Sequence, residues 1–318
     1  MNLGIYGYGN LGRAVEIVAS DMSDVKISAV FSKRGGSAVR TLGAPVYAKE
    51  EAAEHKGEID CMLLCGSSLS DTREDAMRLI KDFNTVDSFD IHASIPDYIG
   101  KLSPLVEENG RTAIISAGWD PGVFSLFRLI FSSAMPRAKV NTFWGRGVSQ
   151  GHSAAIRRID GVKRAVQYTV PSPEAIMLAN HGKCLSERKR HRRECYVVAE
   201  SGEEERIESE IKNMPKYFDG YDTDVYFIDE AEFLRDHASL YHRGECIAFN
   251  MSGIYGDHIS RASLRLELDS NPEFTASVMI AYAIACKRLN DEGICGAYRV
   301  LDVAPSYLVR DGDKNNYI

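Results

Sequence analysis

Ile5-Tyr6-Gly7-Tyr8-Gly9-Asn10-Leu11-Gly12-Arg13-Ala14 is the stretch that decides the fold. It holds a complete G-x-G-x-x-G between two patterned runs. Residues 3–6 are apolar and read as a buried strand, and residues 10–20 turn Leu11, Val15 and Val18 to one face as a helix. Strand, turn and helix in that order make the motif a dinucleotide site. Gly7 permits the tight turn, Gly9 lets backbone approach a pyrophosphate, and Gly12 lets helix and strand pack closely. The helix N-terminus then faces the phosphates, with Tyr8, Asn10 and Leu11 completing the cofactor loop.

The second expected strand, 25–31, ends in Ser32-Lys33-Arg34-Gly35-Gly36. An NAD-preferring site places a carboxylate here on the adenosine ribose hydroxyls. This chain instead offers a hydroxyl and two cations, which suit a 2′-phosphate: Arg34 as a planar fork and Lys33 as a point charge. The expected cofactor is NADP.

Apolar runs at 59–65, 85–88 and 112–116 alternate with helical stretches near 69–82 and 96–108, a βαβ rhythm that predicts a mostly parallel sheet. Ligands on such sheets bind outside the carboxyl ends of the strands. Those ends carry Gly66-Ser67-Ser68, Phe89-Asp90-Ile91-His92 and Ala117-Gly118-Trp119-Asp120-Pro121-Gly122, and all three point to the nicotinamide region.

Past Gly122 the rhythm changes. Strand-like stretches at 140–144, 166–170, 194–198, 224–228, 247–251 and 262–268 predict a second, largely antiparallel sheet with a few helices. Asn271 as N-cap, Pro272 at the first position and Gly293 beyond the end frame a helix over 271–290. A final strand at 297–303 is placed to return to the first domain. The expected fold class is α/β: an N-terminal Rossmann domain over 1–118, rejoined by about 297–318, plus a mixed α+β substrate-binding and dimerisation domain over 119–296. The charged run Glu187-Arg188-Lys189-Arg190-His191-Arg192-Arg193-Glu194 reads as a solvated loop, one of whose arginines could hold a substrate carboxylate.

With 318 residues, 44% hydrophobic and 26% charged, the composition is that of a globular two-domain protein. A net charge of −7 gives no global support for nucleic-acid binding. No run approaches a membrane span and the chain enters its first strand at once, so a cytoplasmic protein without a membrane partner is expected. Seven scattered cysteines without a C-x-x-C pair suggest neither a disulfide framework nor a metal site, and Cys61 and Cys65 read as small core hydrophobes.

Taken together the chain resembles the meso-diaminopimelate D-dehydrogenase family over nearly its whole length. The resemblance rests on Gly7-Tyr8-Gly9-Asn10-Leu11-Gly12-Arg13, Phe31-Ser32-Lys33-Arg34, Gly118-Trp119-Asp120-Pro121-Gly122, Phe143-Trp144-Gly145, Ser149-Gln150-Gly151-His152-Ser153, Ala165-Val166-Gln167-Tyr168-Thr169 and Asn271-Pro272-Glu273-Phe274-Thr275-Ala276-Ser277. It implies NADP-dependent, reversible oxidative deamination of the D-centre of meso-2,6-diaminopimelate to L-2-amino-6-oxopimelate and ammonia, a step of lysine biosynthesis, in a homodimer. It places Asp90 and Asp120 at the D-centre, where carboxylates suit an ammonium and its proton transfers; either can be the base. Trp119 and Trp144 become pocket walls, and Gln150 and Gly151 offer an amide and a backbone N–H to the reacting carboxylate. Thr169, Arg193, His242 and Asn271 fall to the distal L-end, with Arg192 a competitor for the place of Arg193. Another D-amino-acid dehydrogenase of the same architecture, or a noncatalytic NADP sensor, remains the alternative.

Overall fold

A computed structural model describes residues 1–215, 217–237, 241–310 and 314–317. The chain divides into two compact units, Met1–Leu126 with Pro272–Ile318, and Phe127–Asn271. Strands are numbered along the chain.

Unit 1 is built on β1 (Asn2–Tyr6), β2 (Lys26–Phe31), β3 (Val46–Tyr47), β4 (Cys61–Leu64), β5 (Thr85–Asp87) and β6 (Thr112–Ile115). The last strand of the chain, β14 (Gly296–Arg299), pairs parallel with β6. The sheet order is β14-β6-β5-β4-β1-β2-β3, every recorded pairing parallel. A parallel sheet must be covered on both faces, which is why its strands are continuous apolar runs. Leu3, Ile5, Leu63 and Ile114 pack on one face against the helices Asn10–Ser20 and Asn271–Asp291. Tyr6, Met62, Leu64 and Ile115 pack on the other against Thr72–Leu79 and Ile95–Glu108.

Unit 2 contains β7 (Lys139–Trp144), β8 (Gly147–Val148), β9 (Val162–Pro171), β10 (His191–Ala199), β11 (Thr223–Phe227), β12 (His242–Ser252) and β13 (His258–Leu268). They form two sheets rather than the single one expected: β11-β10-β9-β8 and β13-β12-β7. Within the first, β10 runs parallel to β11 while the other pairings are antiparallel. Ile156, Cys195, Val197, Ile207, Ile211 and Phe218 form its core.

The compact units divide at Leu126/Phe127, where the expected domains divide at 118/119, so Trp119 and Asp120 fall within unit 1, and the chain rejoins unit 1 at Pro272, where about 297 was expected. The helix Asn271–Asp291 causes the second shift, because Met279, Ile280, Ala283, Cys286 and Leu289 are buried in the unit 1 core. Each large apolar side chain so buried contributes about 1.5–3 kcal/mol. Of the returning segment, residues 311–313 and 318 lie outside those described. The charged run is not a solvated loop: Glu187–Arg190 is a helical turn, and β10 begins at His191 with His191, Arg193 and Glu194 buried. Cys61 and Cys65 are buried as expected, and burial pushes the Cys65 thiol up to about 12.

Candidate active site

The glycine loop sits between β1 and the helix Asn10–Ser20. Gly7 has φ +100°, a conformation favouring glycine, and its N–H donates to the Phe31 carbonyl at 2.9 Å. A Cβ on Gly12 would lie 2.2 Å from the Gly7 carbonyl oxygen, whereas one on Gly9 would meet no protein atom within 4 Å. The helix carries no side-chain N-cap bond and no acid in its first turn. Space above Gly9 and an uncapped positive helix end fit a dinucleotide pyrophosphate.

Of the predicted loop residues, Tyr8 turns its ring inward and donates to the buried Glu16 carboxylate. Burial first, then that bond, raises the Tyr8 phenol above its usual range. Glu16 also accepts from the N–H groups of Leu42 at 2.9 Å and Ala44 at 3.4 Å, tying the helix to the chain entering β3. Tyr8 thus offers only its backbone to the loop surface, and Asn10 and Leu11 open the helix. Glu16 escaped the sequence reading; an acid beside Val15 on an apolar helix face was its signal.

At the end of β2, Ser32 is buried and its Oγ accepts the Arg34 N–H at 3.2 Å. Arg34 donates through Nη2 to the Tyr8 carbonyl at 2.6 Å, so the expected phosphate ligand is held directly against the glycine loop. Lys33 pairs with Asp71 at 3.0 Å, and that hydrogen bond holds its pKa above the usual lysine range. After β4, Gly66, Ser67 and Ser68 form the turn into the next helix: the Ser67 carbonyl accepts from Ser70, Asp71 and Thr72, and Ser68 Oγ accepts the Asp90 N–H at 3.3 Å. Asp90 is exposed just past β5. Asp120 lies past β6 in a turn closed by Gly118 N–H to the Pro121 carbonyl at 3.0 Å and Val123 N–H to the Gly118 carbonyl at 3.1 Å. Trp119 is 9% exposed and meets Phe124 edge-on at 5.3 Å.

In unit 2, Arg193 on β10 lies opposite Thr169 on β9 and donates to its hydroxyl at 2.6 Å. Arg193 is 6% exposed, sits 4.2 Å over the Tyr221 ring, and has a buried Nε that meets no hydrogen-bond partner among the described residues. Burial lowers its pKa, partly offset by Tyr221 and Glu187. Arg192, one residue away on the opposite strand face, pairs with Glu194 at 2.7 Å and Asp224 at 3.7 Å. Of the two arginines, it is Arg193 that joins Thr169.

Trp144 ends β7. Its N–H donates to His191 Nε2 at 2.9 Å and its ring stacks on the same imidazole at 5.1 Å. His242 opens β12 and is buried against Gly147, where a Cβ would lie 2.5 Å from its ring. Its Nδ1 bonds the Arg243 carbonyl at 2.9 Å. Burial depresses His242 to about 4 and His191 to about 3, so both rings are neutral near pH 7. Gln150 and Gly151 begin the short helix Gln150–Ile156, and Asn271 opens the helix Asn271–Asp291. His191 and Tyr221 were missed: one lay within the charged run, the other between the strand-like stretches 194–198 and 224–228, where no motif marked it.

A parallel sheet with a glycine cradle, joined in one chain to a mixed-sheet unit bearing a buried arginine, defines a two-unit protein of the Rossmann class. A family model, the Diaminopimelic acid dehydrogenase C-terminal domain, matches residues 118–270. The meso-diaminopimelate D-dehydrogenase of Ureibacillus thermosphaericus is 47% identical over 307 residues, spanning 95% of this chain and 94% of that one. The solved Corynebacterium glutamicum DAP dehydrogenase in complex with DAP superposes with a TM-score of 0.93 at 38% identity, covering 100% of this chain and 97% of that one. An engineered D-amino acid dehydrogenase bound to NADP+ gives 0.90 at 36% identity, covering 99% and 98%. The chain belongs to the meso-diaminopimelate D-dehydrogenase family.

Proposed function

We propose that this protein catalyses the NADP-dependent, reversible oxidative deamination of the D-centre of meso-2,6-diaminopimelate, yielding L-2-amino-6-oxopimelate and ammonia for lysine synthesis, as a cytoplasmic homodimer. The observation that carries the substrate assignment is Arg193. Its guanidinium is buried beside Thr169 and, among the described residues, makes no ion pair with a carboxylate. A buried cation is costly unless an anion meets it, and a distal substrate carboxylate supplies that anion.

Gly7, Gly9, Gly12 and the helix N-terminus would hold the pyrophosphate of NADP, and Lys33 and Arg34 its 2′-phosphate; when bound, the cofactor would supply the hydride acceptor for the D-centre. Asp90 and Asp120 hold the D-centre ammonium and take one of its protons, leaving a neutral amine that releases hydride to become an iminium cation. Water then adds to the iminium carbon, the same groups move a proton from that water to the nitrogen, and ammonia leaves as the remaining hydroxyl gives up its proton and closes to the carbonyl. Gln150 and Gly151 orient the reacting carboxylate. Trp119 and Trp144 wall the aliphatic chain, and Thr169, Arg193, His242 and Asn271 admit only an L-configured distal end.

Following NADP reduction with meso-, L,L- and D,D-diaminopimelate tests this reading. Turnover with the meso isomer, little with L,L, and a large preference for NADP over NAD are expected. Binding of NADPH without turnover of any isomer would overturn it, and unchanged turnover in both Asp90→Ala and Asp120→Ala would remove the two carboxylates from the chemistry.

A further inference from the structure

Asp87, the last residue of β5, is a buried carboxylate to which the chemistry assigns nothing. Its Oδ1 accepts two backbone N–H groups, from Phe89 at 2.9 Å and Ser116 at 2.9 Å. Its Oδ2 accepts the Tyr98 hydroxyl at 2.6 Å, and its own carbonyl accepts the Ala117 N–H at 2.7 Å. Asp87 and Tyr98 are 2% and 0% exposed. A carboxylate removed from water is unfavourable unless its lone pairs are filled, and here three donors fill them.

The destinations of those bonds give the arrangement its meaning. Phe89 directly precedes Asp90. Ser116 and Ala117 lead into the turn that carries Trp119 and Asp120, and Ser116 sits at φ +61°, where the chain leaves the strand direction without glycine's tolerance. A single carboxylate therefore pins the exits of β5 and β6, the two strands whose ends bear the candidate acid–base groups. Between these exits β5 and β6 pair only at Thr85↔Ala113 and Val86↔Ile114, so beyond Val86 the Asp87 bonds take over from the ladder.

We propose that Asp87, oriented by Tyr98, is a positioning residue for the acid–base pair: it sets the spacing of Asp90 and Asp120 without touching substrate. This rests on the reading of Asp90 and Asp120 given above. Small misplacements of reacting groups reduce rate far more than they reduce binding.

The test compares Asp87→Asn, Asp87→Ala and the apolar near-isostere Asp87→Leu in the full-length enzyme, scaled to sites that bind NADPH. Single-turnover hydride transfer is measured with substrate deuterated at the D-centre. Asp87→Asn keeps an oxygen that accepts both amides, so a rate within about ten-fold of the parent is expected. Asp87→Ala and Asp87→Leu lose the acceptor, and hydride transfer falls about 100-fold with NADPH affinity held within about three-fold. Equal rates for Asn and Ala, full rate per NADPH-binding site in Ala or Leu, or loss of NADPH binding in both would each overturn the proposal, the last making Asp87 merely structural. Asp90→Ala and Asp120→Ala run beside them: if both keep full turnover the acid–base reading itself fails, whereas their loss with Asp87→Ala intact removes only the positioning role.

Discussion

The Arg193 guanidinium donates to the Thr169 hydroxyl at 2.6 Å across the β10–β9 pairing, with its buried Nε unpartnered among the described residues. Arg192, on the other face of the same strand, is 52% exposed and already paired with Glu194. Strand alternation thus separates two adjacent arginines into one buried beside a hydroxyl and one paired with a carboxylate of the protein.

Arg193→Ala is expected to lower kcat/KM for meso-diaminopimelate by about 100-fold or more, the magnitude of a lost charge-assisted contact. Arg192→Ala removes one of two arginines on the buried Glu194 and leaves Arg146 to pair it, so a change of less than about three-fold is expected. Steady-state kinetics of the two variants check this, and a larger loss in Arg192→Ala would reverse the assignment.

Arg34 is the proposed ligand of the cofactor 2′-phosphate. It bonds the Tyr8 carbonyl at 2.6 Å, within the same loop that carries Gly7 and Gly9. Arg34→Ala is expected to raise the KM for NADP about 10- to 100-fold while altering that for NAD by less than about three-fold, since a phosphate contact of this kind is worth about 1.5–3 kcal/mol. Parallel loss of both cofactors would mean that Arg34 acts only by bracing the loop.

Two glycines of one motif separate folding from binding. Gly12→Ala forces a methyl to 2.2 Å from the Gly7 carbonyl, so a loss of thermal stability of several degrees is expected even without cofactor. Gly9→Ala meets no protein atom within 4 Å, so the melting temperature should stay within about 2 °C while NADPH affinity drops. Melting curves with and without NADPH distinguish the two outcomes.

Acid should unfold unit 2 through its buried histidines. Burial depresses His191 to about 3 and His242 to about 4 from an ordinary 6.5, so between those values the unfolded chain binds more protons than the folded one. Stability is therefore present above pH 6.5 and lost as pH falls, by about 1.4 kcal/mol per pH unit for each ring. Protonating His191 also removes the lone pair that accepts the Trp144 N–H. Urea unfolding between pH 7 and pH 5 checks the slope, and His242→Asn should flatten it by about one proton. An unchanged slope would take His242 out of the acid response.

What the amino-acid sequence determined by itself is local. The order of strand, glycine turn and helix over 2–20, the basic end of β2 and the βαβ alternation are encoded by neighbours within a few residues, because side-chain periodicity and glycine placement act at that range. The helix beginning at Asn271 was legible in the same way, from its flanking Asn, Pro and Gly.

Its allegiance was not, since an apolar stripe can be buried against either unit and only the packing of Met279, Ile280 and Leu289 into the Rossmann core decided it. The charged run around Arg193 misled for a related reason: composition reports polarity, whereas pairing with β9 and β11 decides which charges are buried. Tertiary structure alone buried Arg193 beside Thr169 and left Arg192 exposed, joined Tyr8 to Glu16, and brought the exits of β5 and β6 to one carboxylate. These are contacts between residues far apart in the chain, and their energies appear only when the long-range register has been set.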